Sequence, residues 1–178
     1  NIRVTAVETR TKGLSRKAHK NIRWIVRDFS DTGIEEDSLD LIWCNDSFQC
    51  SQRPFETLKH WHTIMRKDAM LCLTVPYNHS IRYMRDDARV DSTVLPGCYF
   101  NYTPANLILL LASAGFDCRG GHFKFVHGEP WIWAAVYKGE AEPQTRMDWY
   151  ELVDTNLLPV YAERAIRAKG TLSDSDLL

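Results

Sequence analysis

Several features that commonly identify a protein's function are missing from this sequence of 178 residues. Its five cysteines form no C-x-x-C pair, so the sequence indicates neither a zinc site nor a disulfide framework. Its longest apolar run, which begins at Leu107, is too short to cross a bilayer. The formal net charge is −1, which gives no basic field to attract nucleic acid. A protein of a reducing compartment is the simplest interpretation, and we predict a cytoplasmic location.

Two further motifs are missing, and each bears on cofactor chemistry. No G-x-G-x-G occurs, so the glycine-rich turn that brings a backbone close to a nucleotide is not visible. No tyrosine is followed four residues later by lysine, so the catalytic pair of short-chain dehydrogenases is absent. A nicotinamide-dependent dehydrogenase is therefore a poor interpretation.

What the first half does contain is short apolar runs that alternate with helical segments. Pro54 can open a helix, on which Phe55, Leu58, Trp61 and Met65 fall on one side. Strands separated by such crossovers form parallel, right-handed α/β sheets. The predicted strands are Arg3–Glu8, Ile22–Asp28, Leu39–Asp46 and Ala69–Pro76.

The second half changes pattern. Residues 77–102 show no periodicity and predict a lid or insertion. A helix follows, with Thr103 as N-cap and Pro104 at its first position. Strands at Phe116–Val126 and Trp131–Lys138 are joined by a short turn and are predicted antiparallel. We place an α/β domain at 1–139, and a linker with an amphipathic helical tail at 140–178.

This order of elements resembles the class I S-adenosylmethionine (SAM)-dependent methyltransferases, in particular methyltransferase type 11-like domains, from their second strand to their last. The stretches that carry the resemblance are "YTPANLILLLASAGFDC", "IWAAVYKG" and "VRDFSDTGIEEDSLDLIWCND". The family's first strand and glycine-rich motif have no counterpart in the sequence. The resemblance implies a Rossmann-like, doubly wound α/β fold in three layers, α/β/α. Its sheet is mostly parallel, with a C-terminal antiparallel strand pair. It also implies SAM as cofactor and S-adenosylhomocysteine as product.

The resemblance assigns cofactor contacts to four residues. Glu8 would accept hydrogen bonds from both ribose hydroxyls, a role that suits an acceptor-only carboxylate. Asp28 would accept from the adenine amino group, and the backbone and ring of Phe29 would contact the adenine. Asn45 ends the family's fourth strand, where cofactor and substrate pockets meet. Taken alone, Glu8 and Asp28 are better explained as turn or cap residues, and it is the match to the family's pattern that favours the cofactor role.

Other residues are candidates for the acceptor side. Asp46 and His79 are the two groups we would test first as a general base, if the reaction needs one. Tyr77, His79 and Tyr102 flank the predicted lid and are candidate substrate contacts, although such tyrosines more often pack. His60 and His62 lie two apart, do not share a helix face, and are predicted to be surface side chains rather than metal ligands.

Two functions of different classes follow. The first is a SAM-dependent methyltransferase with an unidentified, small-molecule acceptor, acting at neither membrane nor nucleic acid. The second is a non-catalytic, methyltransferase-like subunit of a larger assembly, with a protein partner or a second copy bound through the C-terminal helix. The leading interpretation rests on the family analogy.

Overall fold

The computed structural model describes residues 2–9, 21–77, 100, 102–125 and 131–177. His79 and most of the predicted lid lie outside these residues. The described elements are, in chain order, β1 (Val4–Glu8), β2 (Ile22–Val26), β3 (Leu39–Asn45), α1 (Pro54–Ile64), β4 (Met65–Pro76), α2 (Pro104–Ser113), β5 (Phe116–Phe125), β6 (Trp131–Lys138), α3 (Trp149–Leu152) and α4 (Val160–Lys169), with short 3-10 turns at Phe48–Cys50 and Asp174–Asp176.

The strands form two sheets. In the first, β1 and β2 pair in parallel. The second has the order β3-β4-β6-β5, in which β3 and β4 are parallel while β6 runs antiparallel to both β4 and β5. Among the described residues, β1 and β3 each have one edge with no paired strand. The predicted α/β class and C-terminal antiparallel pair are confirmed, and the division into two sheets is the feature that the sequence did not predict.

The start of α2 follows the predicted N-cap. Thr103 Oγ1 accepts a hydrogen bond from the Asn106 backbone N–H at 3.3 Å, and Asn106 Oδ1 accepts from the Thr103 N–H at 2.9 Å. This reciprocal pair satisfies two backbone donors that would otherwise lack partners. Gly115 ends the helix with a φ of +91°, a conformation that favours glycine. The helix is buried on nearly every side and forms the centre of the core.

Two boundaries differ from prediction. α1 ends at Ile64, and Met65 opens β4 instead of closing the helix. The polar residues after Met65 belong to β4 as a bulge, because Leu39 of β3 pairs with Met65 whereas Leu41 pairs with Met70. Asp68 lies within this bulge and has a φ of +61°. In the C-terminal tail, Pro159 is the N-cap of α4, and its ring fixes φ at the start of that helix.

The two faces of the four-stranded sheet have different surroundings. One face, which we call the covered face, packs against the helices and contains buried side chains from alternate positions of β4 and β6. The opposite, open face contains exposed apolar side chains, with Trp43 66% exposed and Leu41 48% exposed. The covered face is formed by Leu71, Leu73, Val75, Ile132, Ala134 and Val136, and the open face by Leu41, Trp43, Trp133 and Tyr137.

The C-terminal helices complete the core on the covered side. Leu152, Leu158 and Ala162 are buried in the same cluster as α2. The Leu157 carbonyl accepts from the Cys118 N–H at 2.9 Å, which ties this segment to β5. Among the helices of the described residues, none has the length and apolar character needed to cross a membrane.

Candidate functional site

The site is organised by the ends of β3 and β4. The Asp46 backbone N–H donates to the Thr74 carbonyl at 3.1 Å and lies 3.0 Å from Thr74 Oγ1. Thr74 Oγ1 donates to Asn45 Oδ1 at 2.7 Å. Asp46 has a φ of +49°, so the chain turns sharply as β3 ends. These bonds hold Asn45 and Asp46 at the C-terminal edge of the sheet, where open α/β folds bind ligands.

Two buried polar side chains, Gln49 and Tyr102, lie near these strand ends, and Gln49 contacts Asp46. Gln49 is 1% exposed, and its Nε2 donates to Asp46 Oδ1 at 2.5 Å. Tyr102 is 3% exposed, and its ring stacks on Phe48 with centroids 5.4 Å apart. Neither Gln49 Oε1 nor the Tyr102 hydroxyl has a hydrogen-bond partner among the described residues. The sequence analysis missed Gln49, since a glutamine in a polar loop gives no sign that it will be buried.

The thiol next to this pair is not a nucleophile in the folded chain. Burial raises the pKa of Cys44 to about 12, despite hydrogen bonds from the backbones of Phe48 and Ser47 that act in the opposite direction. Cys44 is therefore protonated at neutral pH. No disulfide involves a cysteine of the described part of the chain.

The other predicted cofactor residues lie at the end of the β1–β2 sheet. Glu8 is exposed at the end of β1, and its carbonyl accepts from the Arg27 N–H at 2.9 Å. Asp28 Oδ1 accepts from the backbone and hydroxyl of Ser30 at 2.8 and 2.6 Å. These bonds lower the pKa of Asp28, the side-chain bond from Ser30 being the larger cause. Both carboxylates stand where the strands end, as predicted.

Phe29 connects this sheet to α1. Its ring lies 6.2 Å from that of Trp61, and its carbonyl accepts from Trp61 Nε1 at 2.8 Å. Phe29 is half-buried, so part of the residue remains exposed to solvent.

Two of the three predicted substrate contacts, Tyr77 and Tyr102, lie together, and the third, His79, is outside the described residues. Tyr77 and Tyr102 form an isolated parallel bridge just beyond the end of β4, whose residue Thr74 pairs with Asn45. Partial burial raises the pKa of Tyr77. Glu8 and Asp28 thus lie at the end of the two-stranded sheet, whereas Asn45, Asp46 and Tyr77 lie at the ends of β3 and β4.

The expectation that both histidines of α1 lie on the surface is wrong for His62. His62 is 5% exposed and meets Phe116 edge-on, with ring centroids 5.6 Å apart. The cause is tertiary, because the start of β5 lies over this side of α1. His60 is half-buried, and its Nε2 lies 2.9 Å from Thr32 Oγ1. The described residues contain no cluster of three metal-ligating side chains.

Comparison with known proteins agrees with this architecture. A family model described as a methyltransferase domain matches residues 1–73. No curated protein matches the sequence. Solved structures with a similar fold include methyltransferases, and the three described below share 11–13% identity with this chain. At this identity the likeness establishes the fold.

Three of these structures illustrate the range. A SAM-dependent methyltransferase from Archaeoglobus fulgidus has a TM-score of 0.60 and 13% identity, with 75% of each chain covered. A phosphoethanolamine N-methyltransferase from Haemonchus contortus, with phosphomonomethylethanolamine and S-adenosylhomocysteine bound, has a TM-score of 0.64 and 11% identity, covering 78% of this chain and 44% of that one. The partner of the Trm112 methyltransferase activator in a complex from Haloferax volcanii has a TM-score of 0.60 and 12% identity, covering 78% and 73%.

The predicted resemblance to class I SAM-dependent methyltransferases is confirmed by these matches. The chain has the Rossmann-like fold of that class. The predicted cofactor, SAM, agrees with the neighbours, one of which holds S-adenosylhomocysteine.

Proposed function

We propose that this chain is a SAM-dependent methyltransferase that acts on a small-molecule acceptor in the cytoplasm. The observation that carries the proposal is the methyltransferase-domain match over residues 1–73, which contain Glu8, Asp28, Asn45 and Asp46. The fold supports methyl transfer in general, whereas the residue roles, the acceptor class and the compartment are proposals.

The residues at the ends of β1 and β2 suit the cofactor. The exposed Glu8 carboxylate is acceptor-only and able to take two hydroxyl donors at once. The hydrogen bonds of Asp28 within the described residues engage Oδ1, which leaves Oδ2 to accept from an adenine amino group. The Phe29 ring would pack beside the base, and Asn45 would contact the cofactor from β3. SAM would supply an electrophilic methyl group that is ready for transfer.

The acceptor would lie between these groups and the tyrosines. Asp46 is fixed by its bond from Gln49, so its second carboxylate oxygen is positioned to take a proton from an acceptor that must lose one. His79 is the alternative base. Tyr77 and Tyr102 would contact the substrate beside Asp46.

The test is a calorimetric titration of S-adenosylhomocysteine into the purified chain and two variants. We expect micromolar binding by the wild type, weakened about 10- to 100-fold in Glu8→Ala, since hydrogen bonds to a charged group contribute about 1.5–3 kcal/mol each. Glu36→Ala, an exposed glutamate in the loop before β3, is the matched control and should bind as the wild type does. A folded wild type that fails to bind would refute the enzyme proposal.

A second candidate function is a non-catalytic, methyltransferase-like subunit. The observation that favours it is the open face, where Trp43 and Leu41 stand exposed on a sheet otherwise packed by helices. The Haloferax volcanii neighbour forms a complex with an activator, and a protein partner for this chain is part of this candidate. Such a partner would bind through the open face or through exposed Val160 and Tyr161 of α4. Failure to bind S-adenosylhomocysteine, in a chain shown to be folded, would favour this second function.

A further inference from the structure

We propose that Asp174 is a positioning residue for the acceptor side of the site. It lies in the 3-10 turn Asp174–Asp176, which we call the C-terminal turn. Through Asp174 this turn would fix the start of α2 and, with it, the bridge between Tyr77 and Tyr102. The inference rests on the proposed function, because the two tyrosines are substrate contacts only if the chain is a methyltransferase.

The C-terminal turn is packed onto the rest of the chain. Leu172, just before it, is 8% exposed and belongs to the hydrophobic core, and Leu177, directly after it, packs against that core. At the turn itself, Ser173 Oγ donates to Asp176 Oδ2 at 2.7 Å. Terminal segments are usually poorly ordered unless contacts of this kind hold them, so the position of Asp174 is set by its surroundings.

Asp174 satisfies a backbone donor at the start of α2. The Ala105 N–H donates to Asp174 Oδ1 at 3.0 Å, across 69 residues of sequence, and the carboxylate suits the positive end of the helix dipole. The first N–H groups of a helix have no partner within the helix. Pro104 has no N–H, and the Asn106 N–H bonds to Thr103 Oγ1. Ala105 is thus the donor that the helix's own cap leaves over.

The start of α2 adjoins the predicted substrate contacts. Tyr102 directly precedes the N-cap of α2 and bridges to Tyr77, which follows the end of β4. Asp174 also acts on Tyr77 directly, because burial is the larger cause that raises the pKa of Tyr77 and the negative charge of Asp174 raises it further. The C-terminal turn therefore meets the acceptor side at two points, the start of α2 and Tyr77.

A carboxylate that only capped a helix would stabilise the fold without bearing on the tyrosines, and two substitutions separate these roles. Asp174→Asn keeps an oxygen that accepts from the Ala105 N–H but removes the charge, whereas Asp174→Ala removes both. Asp148 is the matched control, because its Oδ1 accepts from the N–H groups at the start of α3. Gln144 links Asp148 to Ser113, at the opposite end of α2.

The first experiment measures amide hydrogen exchange by NMR in the wild type, Asp174→Ala and Asp148→Ala. We expect Asp174→Ala to speed exchange at residues 102–106 by about two- to thirtyfold, the range that corresponds to losing a helix cap. Asp148→Ala should speed exchange at the start of α3 and leave residues 102–106 unchanged. Equal exchange at residues 102–106 in the two variants would overturn the proposal.

The second experiment replaces Tyr77 with 3,5-difluorotyrosine, whose hydroxyl ionises closer to neutral pH, and follows that ionisation by fluorine NMR. The negative charge of Asp174 opposes ionisation of this hydroxyl, so Asp174→Asn should lower the pH at which the label ionises. Asp148→Asn should leave that pH unchanged. A carboxylate that only capped α2 would give no shift in Asp174→Asn, and that result would overturn the proposal.

A titration of S-adenosylhomocysteine separates this inference from the proposed function. Its proposed contacts, Glu8 and Asp28, lie at the end of the two-stranded sheet, so Asp174→Ala should bind it as the wild type does. A loss of affinity of about tenfold or more in Asp174→Ala would indicate a general defect and would overturn the inference. If the wild type itself does not bind, the proposed function fails, and the exchange and fluorine measurements still decide whether Asp174 holds the tyrosines.

Discussion

The covered and open faces of the four-stranded sheet are built from alternate residues of the same strands, yet they meet different surroundings. On β4, Leu71 and Leu73 are buried against the helices, whereas Cys72 between them points to the open side. Antiparallel sheets with one wet face usually carry polar residues there, and strands buried on both faces are apolar throughout. The open face follows the second pattern, because its largest side chains are Trp43, Leu41, Trp133 and Tyr137. Its composition is thus that of an interior surface.

The open face also contains a hollow. It has a volume of about 230 Å³ and lies across β3, β4, β6 and β5. Its lining includes Trp43 of the edge strand β3, Cys72 of β4, and Trp133 and Ala135 of β6. The predicted site residues lie at the strand ends and do not line this hollow. A hollow in the surface therefore does not by itself identify where the cofactor would bind.

The largest expected effect comes from truncating the same residue type on each face. Leu71→Ala, on the covered face, should lower the free energy of unfolding by about 2–5 kcal/mol, because it leaves a cavity in a packed core. Leu41→Ala, on the open face, should lower it by less than about 1 kcal/mol. Urea unfolding measures both. Similar losses would mean that the open face is covered in solution.

A smaller effect is expected from pH on the covered side. Burial is the main cause that lowers the pKa of His62, and the nearby Lys138 lowers it further, although Glu142 and the backbones of Gly139 and Gly115 oppose the shift. The unfolded chain therefore takes up a proton near the ordinary value of about 6.5, while the folded chain does so only at lower pH. The free energy of unfolding should fall as the pH drops from 7 through this range.

His62→Gln should make that decline shallower, as measured by urea unfolding at pH 7, 6 and 5. Some decline should remain, because partial burial also lowers the pKa of His60. An unchanged slope in His62→Gln would show that His62 is solvated, and the packing of the covered side would need revision.

The smallest effect is spectroscopic. Trp43 is 66% exposed on the open face, whereas Trp61, on α1, is 4% exposed. Acrylamide should therefore quench the wild type more than Trp43→Phe, and quench Trp61→Phe at least as much as the wild type. If Trp43→Phe leaves the quenchable fraction unchanged, Trp43 is shielded in solution and the contrast between the faces disappears.

Local sequence signals predicted the elements but not their tertiary details. Apolar runs placed all six strands, and Thr103 and Pro104 placed the start of α2, because these signals depend on neighbouring residues. The start of β4 was missed, since the polar residues after Met65 become a strand only by pairing with β3. A local pattern does not contain that contact.

The same distinction applies to the site. Asn45 and Asp46 were predictable as polar residues directly after an apolar strand. Gln49 and His62 were not, because each is buried by a segment distant in sequence. Gln49 lies beside Phe100, and His62 lies against Phe116. Polar residues are usually exposed, so their burial follows from the assembled fold.

The division of the sheet into two pieces has a consequence for motion. The β1–β2 pair is a two-stranded sheet, which is a unit of marginal stability by itself. Two hydrogen bonds link the segment after β2 to α1, one from Trp61 to Phe29 and one between His60 and Thr32. Local opening of this unit would leave the four-stranded core intact and carry Glu8 and Asp28 away together. Amide hydrogens of β1 and β2 should then exchange faster than those of β4 and β6. A ligand held by those carboxylates would slow that exchange. Binding of the ligand would then be coupled to the ordering of the β1–β2 sheet.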